Sequence, residues 1–570
     1  MKRIALISIM LLACMTSFAQ GCLDPILSQE MNHRSDDEKI EVVVLMKSQY
    51  NRSQLNSRAN FFPAKAERRT FVVNELKSFA EASQYELKSI LAEMEQQGLV
   101  SSVRSLWSAN ALYFEATKQA LLELSERPDI EIISLNVQHQ WIPEGETTRV
   151  SSVSSETTPN ITQVNADQVW ELGYTGQGVV IAVIDTGVNN NHLDLADHLW
   201  DGGEEFPHHG YDVVNDDNDP MDDKGHGTHC AGTVLGDGTA GSLTGMAPDA
   251  TLMCVKRIKA DGFGGAVNIA GGMEWSVEHG CDAISMSLGM VDAAVVDKEL
   301  LRRTCEAVLD AGIIALVCAG NEGNAFLQMT YPVPNNVRVP ASCPPPYLDP
   351  DQLSNPGQLS CVMAIGVNYN DAAADFTSKS PVTWQDTQFG DYPYNPGIGL
   401  IRPDVCAPGV NIKSLDYENT SGYTSMDGTS QATPCVAGIV ALMLQKNPEL
   451  TPAEICHILE ETSVKLTPNK SNITGVGRVD ALAAVNAVEA YDGIHEQSIE
   501  AEIFPNPSNG SFTIHCEGLK RVSVYSVDGR LMKAFEVDGK QCRIDDLEKG
   551  VYLVRMETEK GIVIRKVVKM

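Results

Sequence analysis

Val179-Val180-Ile181-Ala182-Val183-Ile184-Asp185-Thr186-Gly187 is a run of six apolar residues closed by a carboxylate and a turn. A run without polar alternation reads as a parallel strand buried on both faces. Ala283 to Met286 and Ile313 to Val317 are runs of the same kind, and helical stretches near Val267 to His279 and Lys298 to Ala311 precede them. Strands alternating with helices predict an α/β fold, a doubly wound parallel sheet over residues 160–492. In such sheets the working residues gather beyond the carboxyl ends of the strands, where Asp185 stands.

Upstream of that sheet, Ile40 to Met46 reads as a strand and Ala66 to Gln97 as a helix, with Leu87, Ile90, Leu91 and Met94 at helical spacing. Two further runs, Asn110 to Phe114 and Ile130 to Val137, flank a shorter helix carrying Leu121, Leu122 and Leu124. The order β, α, β, α, β predicts a small α+β unit over residues 40–142, ending near Trp141-Ile142-Pro143. Residues 143–159, rich in Glu, Thr and Ser, lack apolar periodicity and read as an exposed linker. At the other end, residues 500–570 alternate apolar and polar positions around Asp528-Gly529 and Lys549-Gly550, the pattern of a small all-β module.

The first 19 residues have the parts of a secretory signal: Lys2-Arg3, the apolar run Ile4 to Ala13, and Ser17-Phe18-Ala19. Leu11-Leu12-Ala13-Cys14 leaves open the alternative of a lipid-anchored chain, which an acylated Cys14 would reveal. No later run approaches the roughly 18 apolar residues of a membrane span. The 570 residues carry 43 basic and 75 acidic groups, a net charge of -32, which repels phosphate backbones and argues against nucleic acid as a partner. With 43% hydrophobic and 21% charged residues, the composition is that of folded domains. Of the fourteen cysteines, Cys14 leaves with the signal, and an odd number remains. Cys343 and Cys361 flank a Pro-rich stretch that a disulfide would staple, Cys516 and Cys542 could pair likewise, and Cys254, Cys281 and Cys318 read as buried apolar residues.

Three motifs converge on one chemistry. Ile184-Asp185-Thr186-Gly187 sets a carboxylate where it can orient an imidazole, and Gly225-His226-Gly227-Thr228-His229 supplies imidazoles at a helix start. Gly428-Thr429-Ser430 precedes the apolar helix Val436 to Leu444 and places a hydroxyl among unpaired helix-start N–H groups. Ala319-Gly320-Asn321-Glu322-Gly323 adds an amide able to donate to a developing oxyanion.

With these blocks in the order Asp, His, Asn, Ser, residues 160–492 resemble the subtilisin-like serine proteases. The resemblance implies Asp185 as orienting acid, His226 as general base and Ser430 as nucleophile, with Asn321 and the Ser430 amide as oxyanion donors. His229 reads as a packed helix residue. Ser287-Leu288-Gly289 matches the family's substrate-pairing segment, with a side-chain pocket between it and Gly320. Met290 replaces a second glycine and is expected to narrow a subsite, and the insertion from Cys343 to Cys361 falls beside the pocket wall.

The acidic stretch around Asp217, Asp219 and Asp222, with Asp194, suits a structural calcium ion; the alternative is a solvated acidic loop. No cofactor is required for the chemistry. Residues 40–142 resemble the family's propeptide, an intramolecular inhibitor, with an independent binding domain as the alternative. Phe504-Pro505-Asn506-Pro507, Val527-Asp528-Gly529-Arg530, Gly550-Val551-Tyr552-Leu553 and the basic end Arg565 to Lys569 resemble the sorting domain of type IX secretion. That resemblance implies a chain secreted to the medium or cell surface of a Gram-negative bacterium, with the secretion machinery, its own propeptide and protein or peptide substrates as partners. A plain β-sandwich binding module is the alternative. The expectation is a monomeric serine endopeptidase working through an acyl-enzyme; the alternative is a non-catalytic cell-surface binding protein on the same scaffold.

Overall fold

The computed structural model describes residues 22–570 apart from 60, 63, 143–147, 151–155, 216, 292, 345–360, 385–398, 490–500, 509, 527–530 and 559–560. The signal, most of the linker, most of the 343–361 insertion and Val527-Asp528-Gly529-Arg530 therefore lie outside the described residues. The chain divides into two compact units. One holds the residues up to Tyr50 with Val72–Glu489, the other Asn51–Phe71 with Ala490–Met570. Among the described residues no helix is long and apolar enough to cross a membrane.

In the first unit the apolar runs become the middle of a ten-stranded sheet. Its central order is Val405–Pro408, Met363–Tyr369, Ile314–Cys318, Ala283–Met286, Val180–Asp185, Thr251–Lys256, Gly210–Asp212, all paired in parallel. Burial on both faces accounts for the unbroken hydrophobicity of Ile181 to Ile184, each 2% exposed or less. Helix Thr429–Lys446 is buried along its length to Leu444, and helix His226–Leu235 is buried from Gly227 on. A helix apolar all round belongs inside. At about 1.5–3 kcal/mol per large aliphatic side chain, the cluster shared by these two helices and the sheet holds both helix starts in place.

The N-terminal part of this unit is a four-stranded antiparallel sheet in the order Val100–Leu106, Ala111–Ala116, Ile40–Met46, Ile130–Leu135. Val100–Leu106 is the strand missing from the sequence reading. It is a sheet edge with only its two ends buried, so it carries Ser and Arg in place of an apolar run. Within the supposed linker, Thr148–Val150 forms a strand against Tyr423–Met426, a second correction.

The second unit contains a five-stranded antiparallel sheet: Ala501–Phe504, Phe512–Ser526, Gly550–Thr558 and Gly561–Lys569, with Leu531–Ile544 also paired to Phe512–Ser526. Its core includes Phe512, Ile514, Val522, Val524 and Val554. Among the described residues, Cys343 and Cys361 form no disulfide, nor do Cys516 and Cys542. Cys361 Sγ lies 2.9 Å from Pro344 O, unbridged to Cys343. Cys542 pairs in register with Ile514 and not with Cys516. Cys254, Cys281 and Cys318 are fully buried, as read.

Candidate active site

The three motifs meet at the carboxyl edge of the parallel sheet. Asp185, the last residue of its strand, is 1% exposed, and its Oδ1 accepts from His226 Nδ1 at 2.8 Å and from Thr186 N at 2.8 Å. Gly227 lets this approach happen, because a Cβ there would stand 2.1 Å from Gly187 O. Burial disfavours the charged imidazole of His226, but the charge and hydrogen bond of Asp185 outweigh it and hold His226 well above the usual histidine range. His229, one turn on, has no carboxylate facing it. Burial takes it down to about 3, and its Nε2 donates to Ile412 O at 2.9 Å.

Ser430 stands in the first turn of helix Thr429–Lys446, where the helix start leaves N–H groups unpaired. Its hydroxyl donates to Ser287 O at 3.1 Å, and the Ser287 hydroxyl donates to Ser430 O at 2.7 Å. Cys230 lies between base and nucleophile, with Sγ 3.9 Å from His226 Nδ1 and 3.6 Å from Ser430 O.

Asn321 is held by its oxygen, which accepts from Thr429 N at 3.0 Å and Thr429 Oγ1 at 2.9 Å, so its amide hydrogens remain for another acceptor. Gly428, at φ 151°, leaves that space open; a Cβ would sit 3.2 Å from Asn321 Nδ2. Thr429 was not singled out from sequence, although it fixes which end of the Asn321 amide faces inward.

Asp222 proves to be a positioning residue. Its Oδ1 accepts from Thr186 Oγ1, Lys224 N and Gly225 N at 2.9–3.0 Å, and its Oδ2 from Thr228 N at 2.9 Å and Thr228 Oγ1 at 2.6 Å. These bonds tie the start of the His226 helix to the Asp185 turn. Asp194 likewise takes Ala240 N–H on one oxygen and Tyr423 O–H on the other, while Asp217 accepts from Asp219 N. Among the described residues Asp194, Asp217, Asp219 and Asp222 form no cation-holding group. Asp194 and Asp222, with both oxygens taken by N–H and O–H donors, are poorly suited to a hard cation.

The chain's own N-terminal segment lies against Gly262 to Gly265 and Gly289, beside the site. Gln138–Gln140 pairs antiparallel with Phe263–Gly265, Gly264 opposite His139. Trp141 N donates to Gly262 O at 2.9 Å, its indole Nε1 to Gly264 O at 2.8 Å, and its carbonyl accepts from Gly289 N at 3.2 Å. Trp141 is fully buried and Ile142 is 4% exposed. Of the expected pairing segment, only Gly289 touches this tail through its backbone; Leu288 is buried in the core. The opposite wall, Gly262 to Gly265, escaped the sequence reading, although its glycine density between a strand and a helix was a usable signal.

Between Gly289 and Gly320, where the side-chain pocket was expected, stands Arg338. A Cβ at Gly289 would come within 2.7 Å of Arg338 Cβ, and one at Gly320 within 2.8 Å of Arg338 Cγ. Arg338 Nε lies 3.1 Å from both oxygens of Glu322, a buried pair of 4% and 5% exposed residues. A cavity of about 540 Å³ opens beside it, lined by Gln140, Met290, Asn321, Glu322, Tyr331 and Arg338. Met290, expected to narrow a subsite, is 2% exposed and exchanges backbone hydrogen bonds with Val339.

A second contact joins the N-terminal segment to the large unit. The turn after Val100–Leu106 meets helix Ala266–Glu278: Trp107 Nε1 donates to Glu278 at 2.5 Å, and Ser108 N to Glu274 at 2.6 Å. Burial raises the Glu274 carboxyl to about 8.

A carboxylate-held imidazole, a hydroxyl at a helix start and an inward-facing amide define a serine-hydrolase arrangement on a doubly wound sheet. Residues 176–477 match the subtilase family, peptidase S8, and the chain belongs to it. Residues 502–570 match the secretion system C-terminal sorting domain. The chain is 34% identical over 339 residues to "Serine protease AprX" of Bacillus subtilis (strain 168), covering 54% of this chain and 66% of that protein. It is 28% identical over 471 residues to "Bacillopeptidase F" of the same organism, covering 76% of this chain but 30% of that protein. Subtilisin DY of Bacillus licheniformis is matched over its whole length, at 32% identity across 58% of this chain.

Proposed function

We propose that this chain is a secreted serine endopeptidase made as an inhibited precursor. The observation that carries the reading is the 2.8 Å Asp185–His226 pair, with Cys230 Sγ within reach of both His226 and Ser430, the latter at the start of a buried helix. In the reaction the Ser430 hydroxyl attacks the peptide carbonyl while His226 takes its proton, and Asp185 steadies the imidazolium. The oxyanion accepts hydrogen bonds from the Asn321 amide and the Ser430 N–H. His226 then protonates the leaving amine, and water activated by the same base releases the acyl group from Ser430.

Residues 40–142 act as intramolecular inhibitor, with their tail in the groove as a substrate would lie, and the cut that frees the enzyme falls in the linker after Pro143. The C-terminal sorting domain carries the chain through type IX secretion, and the working form is a monomer in the medium or on the cell surface. The test is labelling by a serine-directed fluorophosphonate together with precursor processing. The wild-type chain labels at Ser430 and sheds residues 40–142 in a protease-deficient host. An unlabelled Ser430 would overturn the reading.

A further inference from the structure

His139 lies in the groove opposite Gly264, and its Nε2 is 2.9 Å from Asp297 Oδ2. Asp297 is 2% exposed and sits in the first turn of helix Val295–Asp310. The rest of the tail is held largely by main-chain hydrogen bonds, which any extended peptide can make. The His139–Asp297 contact is different, because it reads a side chain. Lys298, the neighbouring cation, is turned to the Trp384 ring 6.0 Å away, and the guanidinium of Arg338 is shared between Glu322 and the tail carbonyl of Trp141. The carboxylate of Asp297 therefore faces the tail side chain itself.

We infer that Asp297 forms an acidic subsite, so that the enzyme selects peptides carrying lysine, arginine or histidine at the position His139 occupies. The inference rests on the endopeptidase reading and names its substrate class. With an uncharged residue opposite, a buried carboxylate loses its counterpart, and with glutamate it meets a like charge. The net charge of -32 adds a long-range attraction for cationic peptides. One charge-assisted hydrogen bond corresponds to about a tenfold preference.

The test measures kcat/KM of the mature enzyme on internally quenched peptides copied from residues 134–150, with Lys, His, Ala or Glu in the place of His139 and the cut located by mass spectrometry. The expected order is Lys and His about tenfold above Ala, and Glu below Ala, with the Lys preference shrinking at high salt. In Asp297→Lys the order of the Lys and Glu peptides reverses, and in Asp297→Asn their ratio collapses toward one. Equal rates for all four peptides in the wild-type enzyme, a measurement needing no variant, overturn the acidic subsite and leave the endopeptidase reading standing. A Lys preference that survives Asp297→Asn overturns it as well. If no peptide is cut and Ser430 resists fluorophosphonate, the reading beneath has failed.

Discussion

Two of the contacts that the N-terminal segment makes with the parallel-sheet part of its unit are built on opposite principles. In the groove, Gln138 to Trp141 is bound mainly through backbone groups, to Gly262, Gly264, Gly265 and Gly289. On helix Ala266–Glu278 the grip is by side chains: Glu278 takes the Trp107 indole N–H, and Glu274 the Ser108 amide. Most of the first contact uses main-chain groups that other extended peptides also carry, whereas the second is made by this turn alone. If the segment is the inhibitor proposed above, inhibition and attachment are separate tasks.

The largest effect expected breaks the groove end alone. Ser430→Ala should abolish peptide hydrolysis and fluorophosphonate labelling, and the chain should accumulate with residues 40–142 joined, the helix contact intact. Processing at the wild-type rate would mean that another protease makes the cut. Asn321→Ala keeps the nucleophile and should still label, while kcat falls by roughly two to three orders of magnitude, the scale of one lost oxyanion donor. A fall below tenfold would assign the oxyanion mainly to the Ser430 amide.

The helix end is probed by pH. Burial favours uncharged Glu274, whose carboxyl is raised to about 8. The contribution of this raised group is complete below the ordinary glutamate range and is lost as pH climbs through about 8. In the Ser430→Ala precursor, protection of the Ser108 amide from hydrogen exchange should fall by roughly one to two orders of magnitude between pH 5 and pH 9, after correction for intrinsic exchange. Glu274→Gln should flatten that dependence; an unchanged slope would place the titrating group elsewhere.

The smallest effect returns to the groove. Gln431 is 1% exposed and lies beside Gly428, where a Cβ would meet its Oε1 at 2.9 Å. Gln431→Met places an oxidisable sulfur there, and peroxide should inactivate that variant a few times faster than wild type. Equal decay would show that position 431 does not sense the oxyanion site.

The parallel sheet was legible because its strands are buried on both faces and so unmistakably apolar, and the triad because each member closes a strand or opens a helix. Val100–Leu106 was not legible, since an edge strand keeps polar residues. The groove tail was also hidden. Gln138-His139-Gln140 has no strand signature and takes its conformation from Phe263–Gly265, a partner more than a hundred residues away in sequence. In the acidic loop, spacing shows how many carboxylates are near one another, not how many backbone N–H groups have already claimed them. Asp222, with five protein donors, is the clearest instance. Arg338 gave no warning at all, because nothing local marks a residue that reaches between two distant glycines.

That wedge constrains how selectivity can be inherited. Any side chain added at Gly289 or Gly320 runs into Arg338, and shortening Arg338 strands Glu322 as a lone buried carboxylate, at about 3–5 kcal/mol. Single substitutions at these positions therefore each carry a packing or charge penalty. Descendants of this chain should keep Gly289, Gly320, Glu322 and Arg338 as one linked set or exchange them together, so that preference at this pocket changes in jumps between lineages and does not drift.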